Sequence, residues 1–315
     1  MKSNFANTLI VIPVFEDKTS CIELLRDLFR RFGGDIFVIV VDDGSVAAPL
    51  KVDDISSVGG QGVVLTLWRN VGHQSAIAAG LAYASTRMLE HQNVVVMDSD
   101  GEDCPGTVEN LIENLQDDVD AVVAIRGSRN VSLNFRIFYF FYKFIFRVMT
   151  GQRINFGNFM ALKSNAVQRL IYMRELGTHI AGSLLRSRLR IGSCRIDRGQ
   201  RYSGKSKMNF FTLVLHGFKG LIVFAEDVLV RTGVFSLLVS SLSIVGIIGV
   251  ITLKAFGFAT PGWFSVALGI LVLILLQTGA LALITLLMTG VSRSKYSFNP
   301  SQYTDLIKNE TYTLN

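Results

Sequence analysis

Short apolar runs alternate with stretches of helical spacing through the first 130 residues. Residues 9–14 (LIVIPV), 36–41 (IFVIVV), 63–67 (VVLTL), 94–97 (VVVM) and 121–125 (AVVAI) are rich in β-branched side chains and predict strands. Between them, residues 20–31 place Ile22, Leu25, Leu28 and Phe29 at helical spacing, and residues 75–89 and 107–115 predict two more helices. Strands that alternate with helices imply a parallel sheet covered on both faces, and such sheets bind ligands beyond the carboxyl ends of their strands.

The pattern changes after residue 130. Residues 134–150 (NFRIFYFFYKFIFRVMT) are dense in aromatics but broken by Arg136, Lys143 and Arg147. They predict an amphipathic helix at lipid headgroups, with a buried core helix as the alternative. Residues 209–223 predict a second helix of this kind. Residues 232–253 then run without a charge, and residues 263–291 carry Gln277 as their one strongly polar side chain. About 20 apolar residues cross a bilayer core, so both stretches are long enough to span. The short link at 254–262 makes them a hairpin. Arg231 and Lys219 precede it, Arg293 and Lys295 follow it, and the link holds only Lys254. The positive-inside rule then expects both flanks in the cytoplasm. The first apolar run, 9–15, is too short to span and has no small-residue cleavage site. The expected organisation is a cytoplasmic domain at 1–208 that includes the interfacial helix, a juxtamembrane helix at 209–230, two spans within 231–292, and a cytoplasmic tail at 293–315.

Half of the residues are hydrophobic, and the excess sits in the two spans rather than in the first domain. The net charge is +6, and much of the basic surplus lies between Arg126 and Arg231. Basic residues ahead of a span point to anionic lipid or a phosphorylated ligand. No nucleic-acid motif accompanies them, so nucleic acid is not an expected partner. The cysteines, Cys21, Cys104 and Cys194, are odd in number and widely spaced, which predicts free thiols rather than a disulfide framework or a zinc site.

The candidate chemistry lies at the strand ends. The fourth run leads into Asp98-Ser99-Asp100, two carboxylates one residue apart, which suits a hard divalent cation such as Mg²⁺ or Mn²⁺ beside phosphate oxygens. The second run leads into Asp42-Asp43-Gly44-Ser45, where a carboxylate can accept from a base imide or ribose hydroxyls. The first supplies Pro13, Val14 and Glu16 at the same rim. Arg69-Asn70-Val71-Gly72-His73 forms a glycine-containing loop ahead of an Ala-rich helix, suited to close approach of a nucleotide. His73 reads as a loop contact, with a ligand or base role as the alternative.

Taken together, Ile12-Pro13-Val14-Phe15-Glu16, Val41-Asp42-Asp43-Gly44-Ser45, Arg69-Asn70-Val71-Gly72 with Ala78-Ala79-Gly80, and Asp98-Ser99-Asp100 resemble glycosyltransferase family 2. With the two C-terminal spans, the chain is similar to the polyprenyl-phosphate branch, which includes dolichol-phosphate mannose synthases and bactoprenol glucosyltransferases. The resemblance implies an α/β GT-A (Rossmann-like) catalytic domain, juxtamembrane amphipathic helices and a transmembrane hairpin. It also implies an inverting transfer from a nucleotide sugar to polyprenyl phosphate at the cytoplasmic face of a bacterial inner membrane. Asp42 would contact the nucleobase, Asp98 the ribose or metal, and Asp100 the metal, with Asp43, Asn70, Gly72 and Ser99 lining the donor. Glu102 stands where the branch often has a metal-binding Gln. Asn158, in Gly157-Asn158-Phe159, replaces a frequent Asp. Arg126, Arg129, Arg136, Arg201, Lys205 and Lys207 are candidates for the lipid phosphate. UDP-glucose is the first donor expected, with UDP-GlcNAc, UDP-galactose and GDP-mannose open, and a homo-oligomer such as a tetramer is compatible. A processive polysaccharide synthase would carry a Gln-x-x-Arg-Trp motif, and neither Trp68 nor Trp263 sits in one. A degenerate sugar-nucleotide-binding scaffold is the non-enzymatic alternative.

Overall fold

The computed structural model describes residues 8–126, 133–196, 199–203, 210–258, 260, 262–293 and 298–313. In chain order the elements are β1 (Thr8–Val14), α1 (Lys18–Phe32), β2 (Ile36–Asp42), α2 (Val52–Ser56), β3 (Gly62–Leu67), α3 (His73–Ser85), β4 (Asn93–Val96), α4 (Val108–Glu113), β5 (Ala121–Arg126) and α5 (Leu133–Thr150). They continue with β6 (Met160–Lys163), α6 (Ser164–Ile171), α7 (Ile180–Arg186), β7 (Ile191–Ile196), α8 (Phe210–Val223), α9 (Ala225–Ala255), α10 (Trp263–Arg293), α11 (Ser301–Thr304) and β8 (Ile307–Tyr312).

One sheet has the order β7-β5-β6-β4-β1-β2-β3-β8. β1 pairs in parallel with β2 on one side and β4 on the other, so the chain reverses its winding at β1. That switch point opens a crevice beyond the ends of β1, β2 and β4. The sheet is mixed rather than all parallel: β6 runs antiparallel to β4 and β5, and β8 antiparallel to β3. Every residue of β1 is buried, as a central strand covered on both faces requires. On one face, α1 buries Leu24, Leu25 and Leu28 completely, each worth roughly 1.5–3 kcal/mol of transfer free energy. On the other face, α3 is buried nearly all round. Its alanines let the helix lie close to the sheet and bring its N-terminus to the crevice.

At the opposite end of the sheet, Asp120 ties β5 to the start of β7 and to α6. Its carboxylate accepts from the Arg190 backbone N–H (2.9 Å), from Arg190 Nε (3.1 Å) and Nη2 (2.8 Å), and from Asn165 Nδ2 (3.1 Å). The Arg190 hydrogen bonds hold its pKa well below the ordinary carboxylate value. A lowered native pKa stabilises the fold above the unfolded value, about pH 4, and that stabilisation is lost as pH falls through the native value. Asp120→Asn is therefore expected to lower Tm at pH 7. The gap from wild type should narrow on acidification below about pH 4, which thermal melts across pH would read.

The described residues form two compact units: the sheet with its helices, and a second unit that holds α5 from Phe141 onward with α9 and α10. α9 and α10 are each long and apolar enough to cross a membrane. They pair side by side, with a Ser240–Thr278 hydroxyl contact at 2.7 Å between them. In the same unit, Phe146 is buried edge-on against Phe224, and Arg231 Nη1 donates to Val148 O. Phe141, Phe144, Ile145 and Val148 of α5 are exposed.

The segment expected as a tail is part of the sheet. β8 extends the β3 edge, Trp68 N donates to Leu306 O, and Arg87 pairs with Glu310 at 3.0 Å. Tyr303 is buried; its hydroxyl accepts from Gly177 N and lies 3.1 Å from both Met173 O and Arg174 O. Ending the chain at residue 297 strips this strand and Tyr303 away and bares the β3 edge. The expected result is a Tm lower by about 5–10 °C and aggregation on size exclusion. An unchanged melt would show the segment to be dispensable.

Candidate active site

The crevice at the switch point is lined by loops that carboxylates hold in shape. Glu16, just past β1, has φ +47° and accepts from three successive backbone amides: Val46 (2.6 Å), Ala47 (3.0 Å) and Ala48 (2.9 Å). Asp42, at the end of β2, is fully buried and accepts from Ser45 N (2.9 Å) and Leu50 N (3.0 Å). Two side chains thus clamp residues 45–50 through five N–H groups. Asp43 holds the neighbouring loop by accepting from Val71 N (2.7 Å) and Gly72 N (3.0 Å). Burial pushes the Asp43 pKa up, and those two hydrogen bonds and His73 work against the rise.

Each Asp42 oxygen accepts from its own loop and none of the residue is exposed, so the carboxylate shapes the rim. Pro13 and Val14 are buried within β1, Ser99 is buried, and Asn70 is exposed beside Gly72.

β4 delivers the second group of carboxylates. Asp98 N donates to Asp103 Oδ2, and Asp98 Oδ1 lies 3.1 Å from His73 Nε2 at the start of α3. Asp100 Oδ1 accepts from Glu102 N (2.9 Å), which closes the loop. Asp100 Oδ2 and Glu102 Oε1 then converge on one guanidinium: Arg201 Nη2 lies 2.8 Å from the first, and Arg201 Nε lies 3.0 Å from the second. Residues 199–203 form a strap over this loop. Gly199 N donates to Glu102 O and Tyr202 N to Asp100 O. The strap's far side is tied to α1, with Tyr202 Oη donating to Asp27 Oδ2 (2.6 Å) and the Ser203 and Ser20 hydroxyls 2.8 Å apart. Gly101 has φ +87°, and a Cβ there would stand 2.5 Å from the Tyr202 ring, so glycine is required beneath the strap.

Among the described residues, no three carboxylate, imidazole or thiol groups form a metal-ligand cluster. The expected set of Asp98, Asp100 and Glu102 is divided: Asp98 faces His73, and the other two share Arg201. The donor chemistry nevertheless fits a hard divalent ion. Two carboxylate oxygens from one loop already converge on a single cationic group, and oxygen ligands are what Mg²⁺ and Mn²⁺ prefer.

His73, at the start of α3, lies beside these carboxylates. The packed side of the ring opposes a charge, but Asp98, Asp43 and Asp100 outweigh it and raise the pKa above the ordinary value. A row of amides also reaches it. Ile180 N donates to Gln74 Oε1 (2.7 Å), which orients that amide so that Gln74 Nε2 donates to Asn158 Oδ1 (3.0 Å). Asn158 Nδ2 is thereby turned toward His73 Nε2 at 2.9 Å. Sequence reading did not single out Gln74. Its signal is that it is a polar side chain buried at the first turn of an otherwise apolar helix.

Arg126 closes β5 and Arg136 falls on α5, while Arg129, Lys205 and Lys207 lie outside the described residues.

An open α/β sheet that reverses at β1, with acidic loops at three adjacent strand ends, defines a GT-A nucleotide-sugar transferase fold. The profile described as Glycosyl transferase family 2 matches residues 9–177, and the chain belongs to that family. It is 27% identical to a bactoprenol glucosyl transferase of Shigella phage SfV over 84% of this chain and 87% of that one. It is 27% identical to an undecaprenyl-phosphate 4-deoxy-4-formamido-L-arabinose transferase of Pectobacterium carotovorum over 68% and 66%. Among solved structures, it resembles glucosyl-3-phosphoglycerate synthase of Mycobacterium tuberculosis in complex with Mn²⁺, UDP-glucose and phosphoglyceric acid. That match has a TM-score of 0.51 at 14% identity and covers 71% of this chain and 79% of the other. The GT-A expectation and the family resemblance both hold.

Proposed function

We propose that the protein transfers a hexose from a nucleotide diphosphate sugar, UDP-glucose first, to polyprenyl phosphate at the cytoplasmic face of a bacterial inner membrane, inverting the anomeric configuration. The observation that carries the reading is the convergence of Asp100 and Glu102 on one cationic position at the end of β4. The names of the phage and Pectobacterium relatives and the paired apolar helices support the lipid acceptor.

The donor would lie across the ends of β1, β2 and β4, against the loops that Glu16, Asp42 and Asp43 hold rigid. Asp100 and Glu102 would hold a divalent cation, whose charge would offset that growing on the departing diphosphate. A phosphate acceptor is already ionised at pH 7, so no side chain need remove its proton. Asn158, in place of a carboxylate, is compatible with that chemistry. It also keeps one negative charge away from two anionic substrates. Arg201, with Lys205 and Lys207 further along the basic loop, would bind the acceptor phosphate, since a guanidinium can grip phosphate through two N–H groups. Attack from the face opposite the diphosphate inverts the anomeric carbon, and most of the rate gain comes from positioning and charge. In this reading residues 1–208 and the returning strand do the chemistry, while 231–292 anchor it.

The test is full-length protein in detergent with polyprenyl phosphate, Mg²⁺ or Mn²⁺, and labelled UDP-glucose, UDP-GlcNAc, UDP-galactose or GDP-mannose. One donor should label the lipid, and chelation should stop it. Absence of lipid-linked label with every donor and either metal would contradict the reading.

A further inference from the structure

We infer that Arg201 is an exchangeable counter-cation: it neutralises Asp100 and Glu102 until a divalent ion replaces it, and only then is its guanidinium released to an anionic acceptor. The inference rests on the proposed metal site and adds an order of events to it.

Three observations carry it. First, the guanidinium spans both carboxylates, with Nη2 to Asp100 and Nε to Glu102, so the two side chains most suited to a divalent ion are the two that Arg201 occupies. A divalent ion that took those same two oxygens would compete with the guanidinium for them and be repelled by it at close range. Second, the pairing is built in. Glu102 and Asp100 are largely buried at 10% and 16% side-chain exposure, so their charges carry a desolvation cost that the guanidinium helps to offset. Third, the strap that carries Arg201 is anchored independently of the guanidinium. Gly199 N and Tyr202 N bond the carbonyls of Glu102 and Asp100, and Tyr202 and Ser203 bond Asp27 and Ser20 on α1. The Arg201 side chain can therefore swing away while its backbone stays docked at the mouth of the site.

The exchange gives an order to binding. Before the divalent ion arrives, Arg201 is committed to carboxylates and offers little to a phosphate. Afterwards the same guanidinium is free beside the donor. The acceptor thus gains its cation only when the donor side is loaded, which guards against unproductive binding of lipid phosphate to an empty enzyme.

The test reads metal binding directly. Full-length wild type, Arg201→Gln and Arg201→Lys are titrated with Mn²⁺ alone, and free ion is followed by its electron paramagnetic resonance signal. Removing the competing cation should tighten Mn²⁺ binding in Arg201→Gln on the order of tenfold, even as sugar transfer falls. Arg201→Lys, which keeps a charge but cannot bridge both carboxylates as a fork, should lie between. Equal or weaker Mn²⁺ binding in Arg201→Gln overturns the exchange while leaving the metal site intact. If Arg201→Gln does not fold, Arg201→Lys decides by the same criterion. Failure of all three proteins to take up Mn²⁺ overturns the exchange and the metal site together.

Discussion

Asp100→Ala is expected to lower sugar transfer by about a thousandfold or more while the protein still folds. Asp100 is the residue on which the two halves of the site depend. Its Oδ1 accepts from Glu102 N and so sets the turn after β4, and its Oδ2 meets the cation position. Alanine removes both. Asp100→Asn separates them, because an amide oxygen can still accept from Glu102 N but supplies no charge. Both variants should lose transfer, and Asp100→Asn should keep the wild-type melting curve more closely. Initial rates with saturating donor, read beside thermal melts, distinguish a lost charge from a lost turn. Transfer at the wild-type rate in Asp100→Asn would remove the carboxylate from the mechanism.

The second large effect is structural. Gly44→Ala should destabilise the protein by about 2–4 kcal/mol, a fall in Tm of roughly 5–15 °C. Gly44 has φ +72°, and a Cβ there would lie 2.5 Å from Arg69 C, 2.7 Å from Asn70 N and 2.9 Å from Arg69 Cα. All three atoms are backbone, so no side chain can rotate aside. The loop at 69–72 would have to retreat from β2, away from the Asp43 carboxylate that holds Val71 N and Gly72 N. His73 follows directly, so the change should also weaken donor use in whatever fraction still folds. A melt within 2 °C of wild type would mean that the two loops are not packed as described.

Much of this architecture was legible in the sequence, for reasons that differ by element. β1 to β5 were visible because strands buried on both faces must be continuous apolar runs, and the helices between them carry their own period. β6 was missed because Met160–Lys163 has no β-branched side chain, unlike the equally short β4. β7 and β8 are edge strands with mixed exposure, and neither Ile191–Ile196 nor Ile307–Tyr312 alternates cleanly enough to mark a buried face. The all-parallel expectation failed with them, since β6 and β8 supply the antiparallel pairs.

The site was legible in the same uneven way. Asp42, Asp98 and Asp100 could be found because each follows an apolar run and therefore stands at the sheet's carboxyl edge. What each carboxylate binds could not be read from spacing. Arg201 reaches Glu102 across 99 residues of chain and Asn158 reaches Gln74 across 84, contacts that only the folded sheet creates. Asp42 is the clearest case: its position at the rim was right, while its buried contacts to Ser45 and Leu50 depend on how the following loop folds back.

The central proposal is a new bond between an anomeric carbon and the phosphate oxygen of a membrane lipid. The most direct measurement is ³¹P NMR of polyprenyl phosphate incubated with the full-length protein, UDP-glucose and Mn²⁺, with phosphoglycerate offered in a parallel tube. The expected result is conversion of the lipid phosphomonoester signal to a phosphodiester, abolished by chelation. Persistence of the monoester while sugar passes to water or to the soluble phosphate would contradict it.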